Sequence, residues 1–225
     1  MRWLAIFCAV VWAAAAAGQA LRVPPTDEAG QDPSFAAYRD QLLAAVVARD
    51  IDGVLALTGR DIHLSYGGQS GHADFRDNLT VDPMTLHEDY RHEAAALRED
   101  YWAELENVLR LGGRFYEGGA EFVAPEIFNI DPPQGHDVYE TGWIIGDDVI
   151  LRDRPIRWGT EVARASWDVV RIGDGGEGTP YTEVTLGDGT RGFVSSEYLR
   201  YQVGYRSIFR RRQGDWRMTV FIAGD

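Results

Sequence analysis

The stretch His87-Glu88-Asp89-Tyr90-Arg91-His92 comes closest to a catalytic signature. It approaches His-Glu-x-x-His, in which two imidazoles four residues apart on one helix face grip a zinc ion. Here the second histidine falls at i+5, so at 3.6 residues per turn the rings diverge by roughly 140°. The spacing predicts exposed helical histidines and no metal centre, and no other His pair has ligand spacing. Gly68-Gln69-Ser70-Gly71 stops short of the Gly-x-Ser-x-Gly elbow that presents a nucleophilic serine, and predicts an ordinary turn. The only cysteine, Cys8, lies in the N-terminal apolar run, so a chain processed beyond it has neither a thiol nucleophile nor a disulfide. Asp and Glu number 35, too many for spacing to single out a carboxylate pair for glycoside hydrolysis. Arg206, Arg210, Arg211, Arg212 and Arg217 would grip an anion only if they shared a face; on a strand they alternate, which predicts charged surface. The expectation is a protein without catalytic residues, metal or cofactor.

Several elements must position whatever chemistry remains. Asp32-Pro33 reads as a helix cap followed by proline in the first turn, and Phe35, Tyr38, Leu42, Leu43, Val46 and Val47 recur at helical spacing. Asp50 or Asp52 caps a shorter helix through Leu57. Ile62, Leu64 and Tyr66 alternate as a strand, and a short helix is expected around Phe75 to Leu79. A long helix is predicted from about Pro83 to Leu111, with Leu86, Tyr90, Leu97, Tyr101, Leu105 and Val108 as its apolar stripe and Gly112-Gly113 at its end. The helix-helix-strand opening is similar to the nuclear-transport-factor-2-like superfamily; the long helix departs from that pattern. Near the C-terminus, Tyr205 to Ile222 reads as a hairpin turning at Gln213-Gly214-Asp215, with Trp216, Met218, Val220 and Ile222 alternating toward one face. That hairpin is expected to pack on the preceding β unit or extend its sheet, and to reach toward the helical domain, with Trp216 as anchor.

Between these lies a string of linked positions. Val149-Ile150-Leu151 is followed by Arg152 and Pro155; Tyr181 and Val184 start a strand; Asp188-Gly189, Gly192-Phe193-Val194, Ser195-Ser196 and Tyr198-Leu199 follow in order. This stretch resembles the bacterial SH3 (SH3b) domain. The resemblance implies a small β-barrel and a binding role, with specificity carried by aromatic side chains and loops. Phe193 and Tyr181 stand where that family more often has tryptophan, and Gly173 to Gly178 forms an additional loop. Trp158, Trp167, Tyr181, Phe193, Tyr198 and Tyr201 are many aromatics for so small a unit; Trp158, Trp167, Tyr181, Phe193 and Tyr198 form the candidate ligand groove.

The chain has 225 residues and a formal charge of −13, with arginine as its only strong base, which argues against nucleic acid and anionic membranes as partners. Arg2, an apolar run to Ala17 and Gly18-Gln19-Ala20 predict a signal peptide cleaved after Ala20, hence a periplasmic or secreted protein. The expected class is α+β. The expected order is signal peptide 1–20, flexible lead-in 21–31, mostly helical domain 32–124, linker 125–140, SH3b-like barrel 141–202 and terminal hairpin 203–225. The expected function is non-catalytic binding of cell-wall peptide or an envelope protein. The alternatives are a wall hydrolase using Glu, Asp and His of the first domain, or a structural assembly factor; the cysteine-peptidase type of wall hydrolase lacks its thiol.

Overall fold

The computed structural model describes residues 21–176 and 178–224; the expected signal peptide lies outside the described residues. The protein is α+β, with two sheets. Asp32 caps α1 (Pro33–Val47) by accepting from the backbone N–H groups of Ser34 and Phe35, and Asp50 caps α2 (Ile51–Ala56) through the N–H of Gly53. β1 (Thr58–His63) and α3 (Gly71–Thr80) follow. The predicted long helix is shorter than its periodicity implied. Pro83–Thr85 and Glu88–Glu93 are separate 3-10 turns, with Leu86 and His87 extended between them, and α4 is Ala94–Arg110. Met84 and Tyr90 remain exposed, so no burial draws the preceding turns into the helix. β2 (Arg114–Tyr116) and β3 (Glu121–Ala124) complete the first run.

The second run is all β: β4 (Thr141–Ile144), β5 (Val149–Arg152), β6 (Glu161–Ala165), β7 (Val169–Ile172), β8 (Tyr181–Thr185), β9 (Arg191–Ser195) and β10 (Leu199–Tyr201). The chain ends with β11 (Arg206–Arg212) and β12 (Asp215–Ile222). Gln213 and Gly214 both have positive φ, 54° and 94°, as the tight turn between two twisted strands requires.

The pairing corrects the expected domain order. The hairpin does not pack on the preceding β unit; it forms the middle of the first sheet, whose order is β1-β12-β11-β3-β2. β12 runs parallel to β1, and β11 pairs antiparallel with β3, with Ser207 opposite Ala124. The first unit is thus mixed, not mostly helical. Phe35, Leu42, Phe75, Trp102 and Leu105 from the helices share one core with Phe122, Phe209, Trp216, Met218 and Phe221 from the strands. Simple alternation would place Val220 in that core. A register irregularity between Ile208 and Phe209 lets the chain shift by one residue, so Phe221 enters and Val220 stays half-buried opposite Ile208.

The second sheet has the order β10-β4-β7-β8-β9-β5-β6. No pairing of β10 with β6 closes it among the described residues, so the sheet does not form the expected closed barrel; its core is Ile144, Leu151, Val170, Val184, Val194 and Leu199. The lead-in, read as flexible, is held against it. The Val23 N–H donates to the Trp167 carbonyl and the Val169 N–H to that of Leu21. The linker is likewise fixed, because Ile127 and Ile130 pack with Trp143 and Val169. Arg200, only 4% exposed, crosses between the units, donating to Glu104 Oε2 of α4 at 2.9 Å and to the Tyr205 carbonyl.

Asp32 gives a test of the first unit. The Ser34 hydroxyl holds its carboxyl below the usual carboxylate range, against an opposing effect of burial; the N–H groups of Ser34 and Phe35 and the Arg211 guanidinium add to the lowering. A depressed folded-state pKa adds stability that is complete above the unfolded value, near pH 4, and is lost as pH falls through the folded one. Asp32→Ala should cost about 1–2 kcal/mol at neutral pH, with the difference from wild type shrinking below about pH 4. Urea unfolding at pH 7 and pH 3 checks this; an equal difference at both would refute it.

Candidate binding groove

The outer face of the second sheet is built by strand alternation. Val184 and Val194 point into the core, so their neighbours point outward. Tyr181 lies opposite Ser195, Glu183 opposite Phe193, and Phe193 opposite Arg152, so these residues share one face. Ser196–Tyr198 then makes a 3-10 turn that swings Tyr198, 43% exposed, to the end of that face. The result is a groove of about 590 Å³ lined by Tyr181, Tyr198, Ser195, Ile150 and Val149, with charged walls from Asp147, Asp148, Arg152, Arg157 and Glu197.

The five aromatics proposed for the groove do not form one surface. Tyr181 and Tyr198 line it together. Trp158 is 79% exposed on the loop between β5 and β6, next in sequence to the groove residue Arg157. Trp167 faces elsewhere, lining a small apolar cavity with Val23, Ile127 and Trp143, while its indole N–H donates to Asp147 Oδ1 at 2.9 Å. Phe193 shares the outer face but is covered by the glycine loop. A Cβ on Gly175 would stand 3.1 Å from its ring, and one on Gly176 would stand 2.0 Å from the Tyr181 carbonyl oxygen. Only glycine allows this loop to lie so close to β8. Tyr201 lines a separate cleft formed by that loop, which Tyr181 also borders.

The charges of the groove are unevenly matched. Arg164 pairs with Asp148, and Glu161 first and then Asp148 hold Arg164 still more firmly in its charged form. Arg152 donates to the Gly159 carbonyl at 2.8 Å, which ties down the loop carrying Arg157 and Trp158. Sequence reasoning missed Arg157. Its only signal was its place in a loop between Pro155 and an aromatic residue.

Other candidate sites are dispersed. His92 sits on an exposed 3-10 turn and His87 just before it, and no group of three or more His, Cys, Asp or Glu able to hold a metal occurs among the described residues. Ser70, expected in an ordinary turn, is the extended residue before α3 and is bridged to His63. The arginines of the hairpin go to separate partners. Arg206 is buried over Phe128 and donates to the Tyr66 hydroxyl, Arg210 pairs with Glu121, and Arg211 with Asp32. Arg206 therefore departs from the expected surface role, because Phe128 and Tyr66 enclose it. No described helix is long and apolar enough to cross a membrane. The chain matches no protein-family model and no curated protein.

Proposed function

We propose that this is an exported, non-catalytic binding protein whose second unit is an SH3b-like module recognising peptide of the cell wall. The observation that carries the reading is the groove on the outer face, which Tyr181 and Tyr198 both line. The places of the resembling residues support it. Arg152 ends β5, Asp188-Gly189 forms the turn between β8 and β9, Gly192-Phe193-Val194 lies in β9, and Ser196–Tyr198 makes the 3-10 turn before β10. Paired tyrosines offer rigid, amphipathic contact area at low entropic cost, which suits an extended peptide. The first unit is read as a nuclear-transport-factor-2-like scaffold. α4 starts at Ala94 and not at Pro83, and β1 runs parallel to β12, which are the two features that support that reading.

Cosedimentation with purified peptidoglycan tests the function. Tyr198→Ala and Tyr181→Ala should each weaken binding by about tenfold, the loss of roughly 1.4 kcal/mol of contact. Tyr198 is exposed enough that its melting temperature should stay at the wild-type value. Undiminished sedimentation of both variants would sink the reading. Absence of wall binding by wild type, with an envelope protein captured instead through Tyr198, would move the ligand from wall to protein.

A further inference from the structure

The groove holds charges that the protein itself leaves unspent. Asp148 is neutralised by Arg164, Arg152 is committed to the Gly159 carbonyl, and Asp147 accepts the Trp167 indole N–H. Arg157 has no hydrogen bond or ion pair among the described residues. Among the described residues Glu197 accepts only from the Ser195 hydroxyl, at 3.3 Å, and meets no cation. The phenol groups of Tyr181 and Tyr198 likewise have no partner among the described residues, although both rings line the groove. A guanidinium with free donors recognises a carboxylate, often through two parallel hydrogen bonds. With Asp148 neutralised, Asp147 and Glu197 stand against Arg152 and Arg157 along the walls, so neither sign of charge dominates. The charge pattern fits a ligand bearing both signs.

We propose that the groove selects a short peptide carrying a free carboxylate and a nearby ammonium group, with Arg157 holding the carboxylate and Glu197 the ammonium. This rests on the reading of the second unit as a peptide-binding module and adds the chemical class of the peptide. Tyr181 and Tyr198 supply sequence-tolerant walls, and the two charges set which peptide ends are accepted. Both charges are near solvent, so they discriminate between peptides more than they add affinity, and their effect falls with salt.

The probe is the soluble stem peptide released from purified peptidoglycan, titrated calorimetrically into the full chain. It is compared with the same peptide fully amidated at its carboxyls and fully acetylated at its amines. The native peptide should bind about tenfold more tightly than either modified form at low salt. Arg157→Gln should abolish the difference between acid and amide while leaving the effect of acetylation; Glu197→Gln should do the reverse. If all three peptides bind equally, and Tyr198→Ala weakens them all, the charge assignment is overturned and the groove reading stands. If the native peptide does not bind, or binds Tyr198→Ala as well as wild type, the groove reading fails and this inference fails with it.

Discussion

A chain ended after Tyr201 is expected to lose the cooperative unfolding of its first unit altogether. The cut removes β11 and β12, which lie between β1 and β3 in the first sheet. Phe209, Trp216, Met218 and Phe221 leave the shared core, and Phe35, in ring contact with Phe209 and Trp216, loses that cover. Four such side chains contribute about 1.5–3 kcal/mol of burial each, a sum comparable with the whole net stability of about 5–15 kcal/mol that a domain has, and the central pairing is lost with them. Calorimetry should show the first-unit transition missing. A complementary chain follows from the same topology. Ala124 and Ser207 are already paired across β3 and β11, so replacing residues 125–206 by Asn-Gly should leave a continuous hairpin and retain that transition. If the chain ended at Tyr201 melts like the full chain, the hairpin is an appendage and the sheet order is wrong.

The second large effect is expected at Trp216. The ring is buried, edge-on to Phe35 with centroids 4.9 Å apart, and tilted against Phe115 at 6.0 Å. Its indole N–H donates to the Ser34 hydroxyl at 3.2 Å, and the Arg211 guanidinium lies 5.4 Å from the ring centroid. Ser34 and Arg211 both also bind Asp32, so this one ring joins the hairpin to the cap of α1. Trp216→Ala should cost about 3–5 kcal/mol, the range for deleting a buried large aromatic whose site cannot collapse. Urea unfolding of the full chain measures it. A loss below about 1 kcal/mol would mean the ring is dispensable to the core.

The sequence carried local structure well and long-range pairing poorly. Asp32-Pro33 and the spacing of Phe35, Tyr38 and Leu42 mark α1 because a cap and a helical face are decided within a few residues. Gln213-Gly214 marks the hairpin turn for the same reason. Nothing near Trp216 in sequence says that its strand pairs with β1, because parallel pairing is settled by packing between distant segments. Leu86 and Tyr90 fit a helical period, yet the backbone at Leu86 is extended, and periodicity cannot register that. At the groove, Tyr181 and Tyr198 were legible as linked motif positions. Arg157 was not, because a lone loop arginine has no period and shows its unspent charge only once its neighbours have found their partners.

The pairing of Ala124 with Ser207 has a further consequence. Residues 125 to 205 leave the first sheet and return to it at one place. Synthesis runs from the N-terminus, so β4 to β10 are all available before β11 and β12 have been made. The guest can thus collapse around Leu151, Val184 and Val194 while its host still lacks two of five strands. The host closes last, when the final hairpin slides in between β1 and β3, and the newest residues of the polypeptide become the centre of its oldest part.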